Sequence, residues 1–289
     1  MHYQKRGNYM FYDILLGGQL TWNTTLLTVF ISVAVFYILI VKRWTNLNMN
    51  EKTPLLFLLG LGILYITTGS PFTAISHFAF SLHMLQMSIL FFIIPPLLIL
   101  GIPEPLFQQI GKNPIIKSGS KLFFPPMIAL SIFAVLFLMY HTPFVLEILS
   151  QSPFLRDGYT FLLFILSLRM WWPLTAPDSK QRLDRKQKKR YAFWSGLFIM
   201  PACLLFIFNA LVNSMNNPFL AEKTAHLCLP PASSDMLLPP LFNSTFDQLT
   251  AGILMLAIHK LGLLLVSHLD TKGGGHRFPR FVVINKGSD

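Results

Sequence analysis

Long apolar runs separated by short polar stretches dominate the sequence. Seven runs come close to or exceed the length of about 20 residues that an α-helix needs to cross the hydrocarbon core of a bilayer. They predict an all-α, polytopic membrane protein with seven transmembrane helices, in which residues 1–289 form a single membrane domain. The predicted spans cover residues 20–41, 54–70, 75–101, 122–140, 158–175, 192–213 and 246–267.

The third run is the longest, and a continuous helix over it would measure on the order of 40 Å. It contains the adjacent prolines Pro95 and Pro96. Because a proline has no backbone N–H to donate, we expect this helix to tilt in the membrane or to bend near the pair.

The composition agrees with a membrane location and excludes a soluble enzyme. Apolar residues make up 53% of the chain and charged residues 12%, and the mean hydropathy is +0.54, whereas soluble domains carry roughly 25% charged residues. Two cysteines, Cys203 and Cys228, are too few for a disulfide framework. The sequence has no catalytic triad pattern, phosphate-binding glycine loop or zinc-protease motif, so we expect no enzymatic activity.

Lysine and arginine are distributed unevenly between the two sets of loops. If the N-terminus lies outside, the inner segments carry 17 of these residues and the outer segments carry 4. This asymmetry predicts an N-terminus outside and a C-terminus inside the cell. The net charge of +11 is therefore explained by orientation in the membrane, and we expect no nucleic-acid partner. The densest basic run, residues 180–190, is interpreted as a cytoplasmic loop that contacts lipid headgroups.

Several polar side chains fall inside the predicted spans, where burial in hydrocarbon is costly and a functional role is a reasonable hypothesis. In the third span, His83, Gln86 and Met87 have the i, i+3, i+4 spacing of one helix face. In the seventh span, Met255 and His259 are spaced by four residues.

Imidazole nitrogen and thioether sulfur are ligands that Cu(I) accepts well. We therefore take a set of histidines and methionines as candidate metal ligands and three further polar residues as their supports. The alternative is that the methionines fill packing gaps and the histidines form one buried polar patch without a metal. The candidate ligands are His83, Met87, His141, Met255 and His259, and the candidate supporting residues are Gln86, Asp247 and Gln248.

Two other sequence patterns bear on possible sites and functions. His226 and Cys228 in the outer loop are soft-metal ligand types, but two residues do not complete a site. No Asp or Glu lies deep in a predicted span, which argues against a proton-coupled transporter.

Five short stretches follow one another along the chain in an order that matches a known family. The sequence resembles the CtaG family of caa3-type cytochrome c oxidase assembly factors, seven-helix proteins of bacterial plasma membranes. The stretches are HMLQ at 83–86, PPLLILGIP at 95–103, YHTP at 140–143, WWPLTAP at 171–177 and DQLTAG at 247–252.

The resemblance implies a multi-pass protein of the bacterial plasma membrane that helps to mature the oxidase, with oxidase subunits and membrane lipids as partners and with a role in copper supply at the extracytoplasmic side. The chain departs from the pattern at three positions. Many members have a histidine where this chain has Met87, and two histidines four residues apart where it has Arg156 and Thr160. Two other hypotheses remain open: a b-type cytochrome with two of His83, His141 and His259 as axial haem ligands, and a transporter of copper or of a small solute.

Overall fold

The computed structural model describes residues 22–45, 51–76, 79–111, 125–212 and 244–273. Over these ranges the chain is helical and contains no β-strand. The long helices are α1 (Thr24–Trp44), α2 (Lys52–Gly69), α7 (Pro126–Tyr140), α9 (Pro153–Thr175), α10 (Arg185–Val212) and α11 (Ser244–Gly273). Between α2 and α7 lie α3 (Phe72–Ile75), α4 (Phe80–Ser88), a π-helical segment (Ile89–Ile93), α5 (Ile94–Leu100) and α6 (Glu104–Gly111), and α8 (Pro143–Ser150) joins α7 to α9.

Five helical stretches are long and apolar enough to cross a membrane: Thr24–Trp44, Lys52–Gly69, Phe80–Leu100, Arg185–Phe208 and Phe246–Leu269. Helix α7 is apolar but has 15 residues. Helix α9 has 23 residues and includes the charged Arg156, Asp157 and Arg169. The described part of the chain is therefore helical, as predicted, and contains five candidate membrane spans. The count of seven spans and the orientation of the termini stay predictions.

The observed helix starts differ from the predicted spans mainly at three places, of which the first two are in the third and fifth spans. The third predicted span, 75–101, is wrong at its start, because α3 ends at Ile75 and the main helix begins at Phe80. The fifth span was predicted to begin at residue 158, whereas α9 begins at Pro153, a residue suited to the first turn of a helix.

The sixth helix also begins earlier than predicted, and part of the basic run read as a loop is helical. The N–H of Gln187 donates to Oδ1 of Asp184 (2.8 Å), and the N–H of Asp184 donates to Oε1 of Gln187 (3.1 Å). This reciprocal pair is a capping box, which starts α10 at Arg185. The lysines, arginines and glutamine that follow are good helix formers.

The stretch Phe80–Leu100 is the centre of the bundle. Within its most apolar window 72% of the residues are buried, compared with 11–33% in the other four candidate spans. It packs against α11 through α4 and against α2 and α9 through α5, and α11 in turn packs along α10. This central position gives its polar side chains protein neighbours and not lipid.

A π-helical segment interrupts this central helix one turn before its two prolines. In a regular α-helix, the N–H groups of residues 95 and 96 would bond to the carbonyls of Phe91 and Phe92, and proline offers no N–H. Within the segment, the N–H of Ile94 bonds to the carbonyl of Ile89 in the i→i+5 pattern. The irregularity expected near Pro95 and Pro96 thus takes the form of a widened helical turn.

Candidate functional site

Asp247, near the beginning of α11, holds the first turn of α4. Its two carboxylate oxygens accept hydrogen bonds from the backbone N–H groups of Phe80 (2.7 Å) and Ser81 (2.9 Å). The N-cap residue of α4 is Ala79, whose methyl group cannot accept a hydrogen bond. A carboxylate from another helix therefore caps α4, and its negative charge lies at the positive end of the helix dipole.

The same contact establishes that the third and seventh predicted spans are neighbours. Asp247 lies level with Phe80, and twelve residues further along both helices the rings of His259 and Phe92 are 5.1 Å apart. The two helices therefore run side by side in the same direction. The polar residues on them fall at two levels, which are roughly 18 Å apart at the helical rise of 1.5 Å per residue.

His141 follows the last residue of α7 and is 9% exposed. Its Nδ1 lies 2.7 Å from the carbonyl oxygen of Phe137, which can only accept, so Nδ1 carries the proton. In the neutral ring, Nε2 then presents its lone pair. Nε2 is buried and has no hydrogen-bond partner among the described residues. His141 is thus oriented by one nitrogen, while the lone pair of the other is buried without a hydrogen-bond partner among the described residues.

A second imidazole near the ring of His141 is that of His83 in α4. The ring centroids of His83 and His141 are 6.4 Å apart, and His83 stacks on Tyr140 at 6.2 Å with an angle of 18° between the planes. His83 is 5% exposed. We call this pair the bis-histidine site. It brings together the YHTP stretch, which begins at the last residue of α7, and the HMLQ stretch in α4.

Aromatic rings surround the bis-histidine site. The ring centroids of Phe137, Phe206 and Phe80 lie 4.8, 5.1 and 6.4 Å from that of His141. Phe80 and Phe206 also pack edge to face at 4.9 Å. The surroundings of the two imidazoles are therefore apolar and closely packed.

The methionines of the candidate set lie in the same hydrophobic core. Met87 is 6% exposed, and Met84 and Met255 are completely buried, in one cluster with Phe80, Phe137 and Tyr140. By its position on α11, Met255 is level with residue 88 and so lies about one turn deeper than His83. Met87 thus follows His83 by about one helical turn, and both Met87 and Met255 are buried in the core.

Gln86 is engaged elsewhere. Its Nε2 donates to the backbone carbonyl of Thr67 in α2 (2.7 Å), and its Oε1 accepts from the hydroxyl of Ser76 (2.7 Å). Gln86 therefore ties the central helix to the end of α2. Gln248 is buried beside Asp247 in the chain, at 3% exposed.

His259 does not join the bis-histidine site. It lies at the deeper level with Phe92 and Trp171, with ring centroids 5.1 and 6.3 Å away, and its Nε2 is 3.5 Å from the hydroxyl oxygen of Ser195. The five candidate ligands are thus divided, with His83 and His141 at one level, Met87 and Met255 below them, and His259 further along.

Arg156 and Thr160, two of the three positions at which the chain departs from the resemblance, make contacts within α9. Arg156 is exposed and forms an ion pair with Asp157 (3.6 Å), and the hydroxyl of Thr160 donates to the carbonyl of Arg156 (2.9 Å). His226 and Cys228 lie outside the described residues. Over the ranges that the structure describes, no three His, Cys, Asp or Glu side chains form a metal-binding group.

Sequence reasoning missed the residues that enclose and support the site. Phe137 precedes His141 by four residues, a spacing from which the Nδ1 bond could have been predicted. Phe206 and Ser76 carried no such signal, because their contacts bring together distant parts of the chain. Trp171 also carried no such signal: it is 1% exposed, and its Nε1–H donates to the carbonyl of Phe91, 80 residues earlier in the chain.

Together, the fold and the site define an all-helical protein with several membrane-type helices and a buried pair of imidazoles near one end of the bundle. The chain matches the family model described as cytochrome c oxidase caa3 assembly factor (Caa3_CtaG) over residues 35–269. It therefore belongs to this family, which confirms the resemblance inferred from the five short stretches. No curated protein and no solved structure matches the chain.

Proposed function

We propose that the protein is a non-enzymatic assembly factor that acts in the bacterial plasma membrane and holds Cu(I) at the bis-histidine site while the oxidase matures. Family membership supports the assembly role. Beyond family membership, we propose that the protein binds a copper ion, that the ion lies at the extracytoplasmic side and that the protein contacts oxidase subunits directly.

The observation that carries the copper proposal is the state of His141. The bond from Nδ1 to the carbonyl of Phe137 fixes the ring orientation and the tautomer, as outer hydrogen bonds do for metal-binding histidines. The remaining nitrogen is buried without a partner among the described residues. A lone pair buried in this way is costly unless it meets a ligand.

His83 supplies a second imidazole beside that of His141. Metal–imidazole bonds are about 2 Å long, and the centroid separation of 6.4 Å lets two rings share one ion. Met87 and Met255 supply softer ligands in the deeper part of the same core. A Met in place of the His found in many relatives keeps the site selective for a soft, singly charged ion.

The surroundings favour Cu(I) over a divalent ion. Phe80, Phe137 and Phe206 exclude water, and the carboxylate of Asp247 is used to cap α4. Burial of an ion without a balancing carboxylate costs less when its charge is lower. When bound, the ion would serve as the copper that the oxidase receives, and the protein residues would hold it and shield it from water.

The same packing argues against a haem between His83 and His141. A macrocycle needs a flat gap between its two axial ligands, whereas the rings of Phe80, Phe137 and Phe206 pack within 6.4 Å of His141. His259 is at a different level of the bundle and pairs with neither. We expect the absorption spectrum of the purified protein to show no Soret band.

Copper binding is tested with purified protein in detergent, by competition for Cu(I) against a coloured chelator. We expect one Cu(I) per chain, lost in His141→Ala and in His83→Ala. His268→Ala changes an exposed histidine outside the site and is the matched control. Absence of Cu(I) binding by the wild-type protein, or equal binding by all variants, would contradict the copper proposal.

The assembly role is tested separately in a deletion strain scored for assembled caa3-type oxidase, with and without added copper. We expect the wild-type protein to restore oxidase assembly in this strain and His141→Ala to fail. Added copper should restore part of the oxidase assembly that the deletion strain has lost. Full oxidase assembly in the deletion strain would rule out the assembly role, whatever the protein binds.

A further inference from the structure

The first six residues of α10 form a concentrated basic surface, which we call the basic segment (residues 185–190). Five of the six are lysine or arginine. Arg185, Lys186, Lys189 and Arg190 are exposed, and none of these four forms an ion pair within the described part of the chain. The acidic residue next to the segment, Asp184, uses its Oδ1 to cap the helix.

The position of these cations within the helix makes their charge unfavourable unless an anion is nearby. The first turn of a helix carries the positive end of its dipole, which attracts anions and repels cations. Like-charged neighbours at spacings of three and four residues, such as Arg185 with Lys189 and Lys186 with Arg190, repel one another as well. The segment therefore favours a negatively charged partner.

The next turns of the same helix indicate what that partner is. Helix α10 continues without a break into an apolar stretch whose side chains face outward, with Phe193 67% exposed, Leu197 44% and Met200 42%. In a membrane such side chains are covered by acyl chains. Trp194 lies at the same boundary, as aromatic residues do at the level of the headgroups.

The distance along the helix places the cations beside the phosphate groups. Arg190 precedes Phe193 by three residues, about 5 Å of helix. The ammonium and guanidinium groups on their long side chains can therefore reach the headgroups of lipids whose chains contact Phe193 and Leu197.

We propose that the basic segment binds anionic phospholipid headgroups and enriches them around this end of α10. Its partner is the lipid of the membrane in which the protein lies, held through the phosphates by Arg185, Lys186, Lys189 and Arg190. The proposal is independent of the bis-histidine site and of the copper that it would hold.

The experiment uses the full chain purified in a mild detergent and mixed with equal amounts of phosphatidylglycerol and phosphatidylcholine that share the same acyl chains. Native mass spectrometry counts the lipids retained by each variant. We expect wild-type protein to retain at least about threefold more phosphatidylglycerol than phosphatidylcholine, and 0.5 M salt to reduce this preference. The variant Arg185→Gln/Lys186→Gln/Lys189→Gln should lose most of it.

Two controls separate lipid binding from general charge and from folding. Lys42→Gln/Arg43→Gln/Lys52→Gln removes three exposed cations from the facing ends of α1 and α2 and should keep most of the preference. Arg185→Lys/Arg190→Lys keeps the charge and should behave as wild type.

A wild-type protein without a preference for phosphatidylglycerol would overturn the proposal. An equal loss in the two triple variants would also overturn it, because the preference would then follow total charge and not the basic segment. The lipid preference of the wild-type protein and its salt dependence need no variant, so the absence of either overturns the proposal even if one variant folds poorly.

Discussion

The indole Nε1–H of Trp171 in α9 donates a hydrogen bond of 3.0 Å to the backbone carbonyl of Phe91 in the central helix. Pro95, four residues after Phe91, cannot provide the N–H that a regular helix would offer to that carbonyl. Trp171 and Phe91 are 1% and 0% exposed, so water does not replace the missing donor. The indole of a neighbouring helix therefore satisfies the carbonyl that the proline leaves open.

Replacing Trp171 by Phe should keep most of the packing and remove the donor. A buried carbonyl left without a partner costs about 1–3 kcal/mol, and we expect the free energy of unfolding in detergent to fall by this amount. Trp172→Phe is the matched control, because its Nε1 bonds to the exposed side chain of Gln181 at 3.1 Å and should contribute less. Equal losses of unfolding free energy in the two variants would show that the hydrogen bond to Phe91 contributes no more to stability than the exposed bond of Trp172.

Gly262 allows α11 to approach the backbone carbonyl of Phe92 in the central helix. A Cβ at this position would lie 2.5 Å from that oxygen and 3.2 Å from the ring of Trp171. Gly262→Ala should therefore push α11 away and cost about 1–3 kcal/mol of stability. Gly196→Ala is the control, since nothing lies within 4 Å of its Cβ and alanine is the better helix former. A Gly262→Ala protein as stable as wild type would contradict the close approach.

Asp247 can be tested as the cap of α4 by two substitutions. Asp247→Ala removes both acceptors, and we expect a loss of about 0.5–2 kcal/mol, the usual value of an N-cap. Asp247→Asn keeps one acceptor oxygen and should lose less. Thermal unfolding followed by circular dichroism gives the order, and a reversed order would mean that the carboxylate contributes through some contact other than the cap.

Met87→His introduces the residue that the family resemblance leads one to expect at this position and should change the metal preference of the bis-histidine site. Thioether sulfur selects Cu(I), whereas imidazole also suits Zn²⁺. We therefore expect the variant to bind Zn²⁺ at least about tenfold more tightly than wild type, a change that corresponds to about 1.4 kcal/mol. The measurement is a competition titration with a zinc indicator. Unchanged zinc affinity would indicate that Met87 lies outside the ligand set.

The sequence predicted the helical class, the approximate position of the helices and the family, because apolar runs and short contiguous motifs are local signals. The proximity of the third and seventh predicted spans was only a hypothesis, and the bond from Asp247 to Phe80 supplies its evidence. The division of the histidines could not be predicted. It depends on which residues of α7, α10 and α11 lie level with one another, and periodicity within one helix carries no such information.

Local chemistry also explains the errors at helix ends. The start of α10 was predicted too late because a basic run looks like a loop to a hydropathy criterion, while the capping box of Asp184 and Gln187 is a stronger signal for a helix start. The start of α4 has no local cap to recognise, since Ala79 precedes it and the capping carboxylate lies 167 residues further along the chain.

That separation has a consequence for biosynthesis. Because the ribosome makes the chain from its N-terminus, the first turn of α4 is synthesised long before Asp247. The N–H groups of Phe80 and Ser81 therefore lack the Asp247 carboxylate as an acceptor until α11 has been made. The turn that carries His83 reaches its final form only after the last predicted span has been translated and docked. A chain truncated before α11 would therefore insert most of its helices and still lack a completed bis-histidine site.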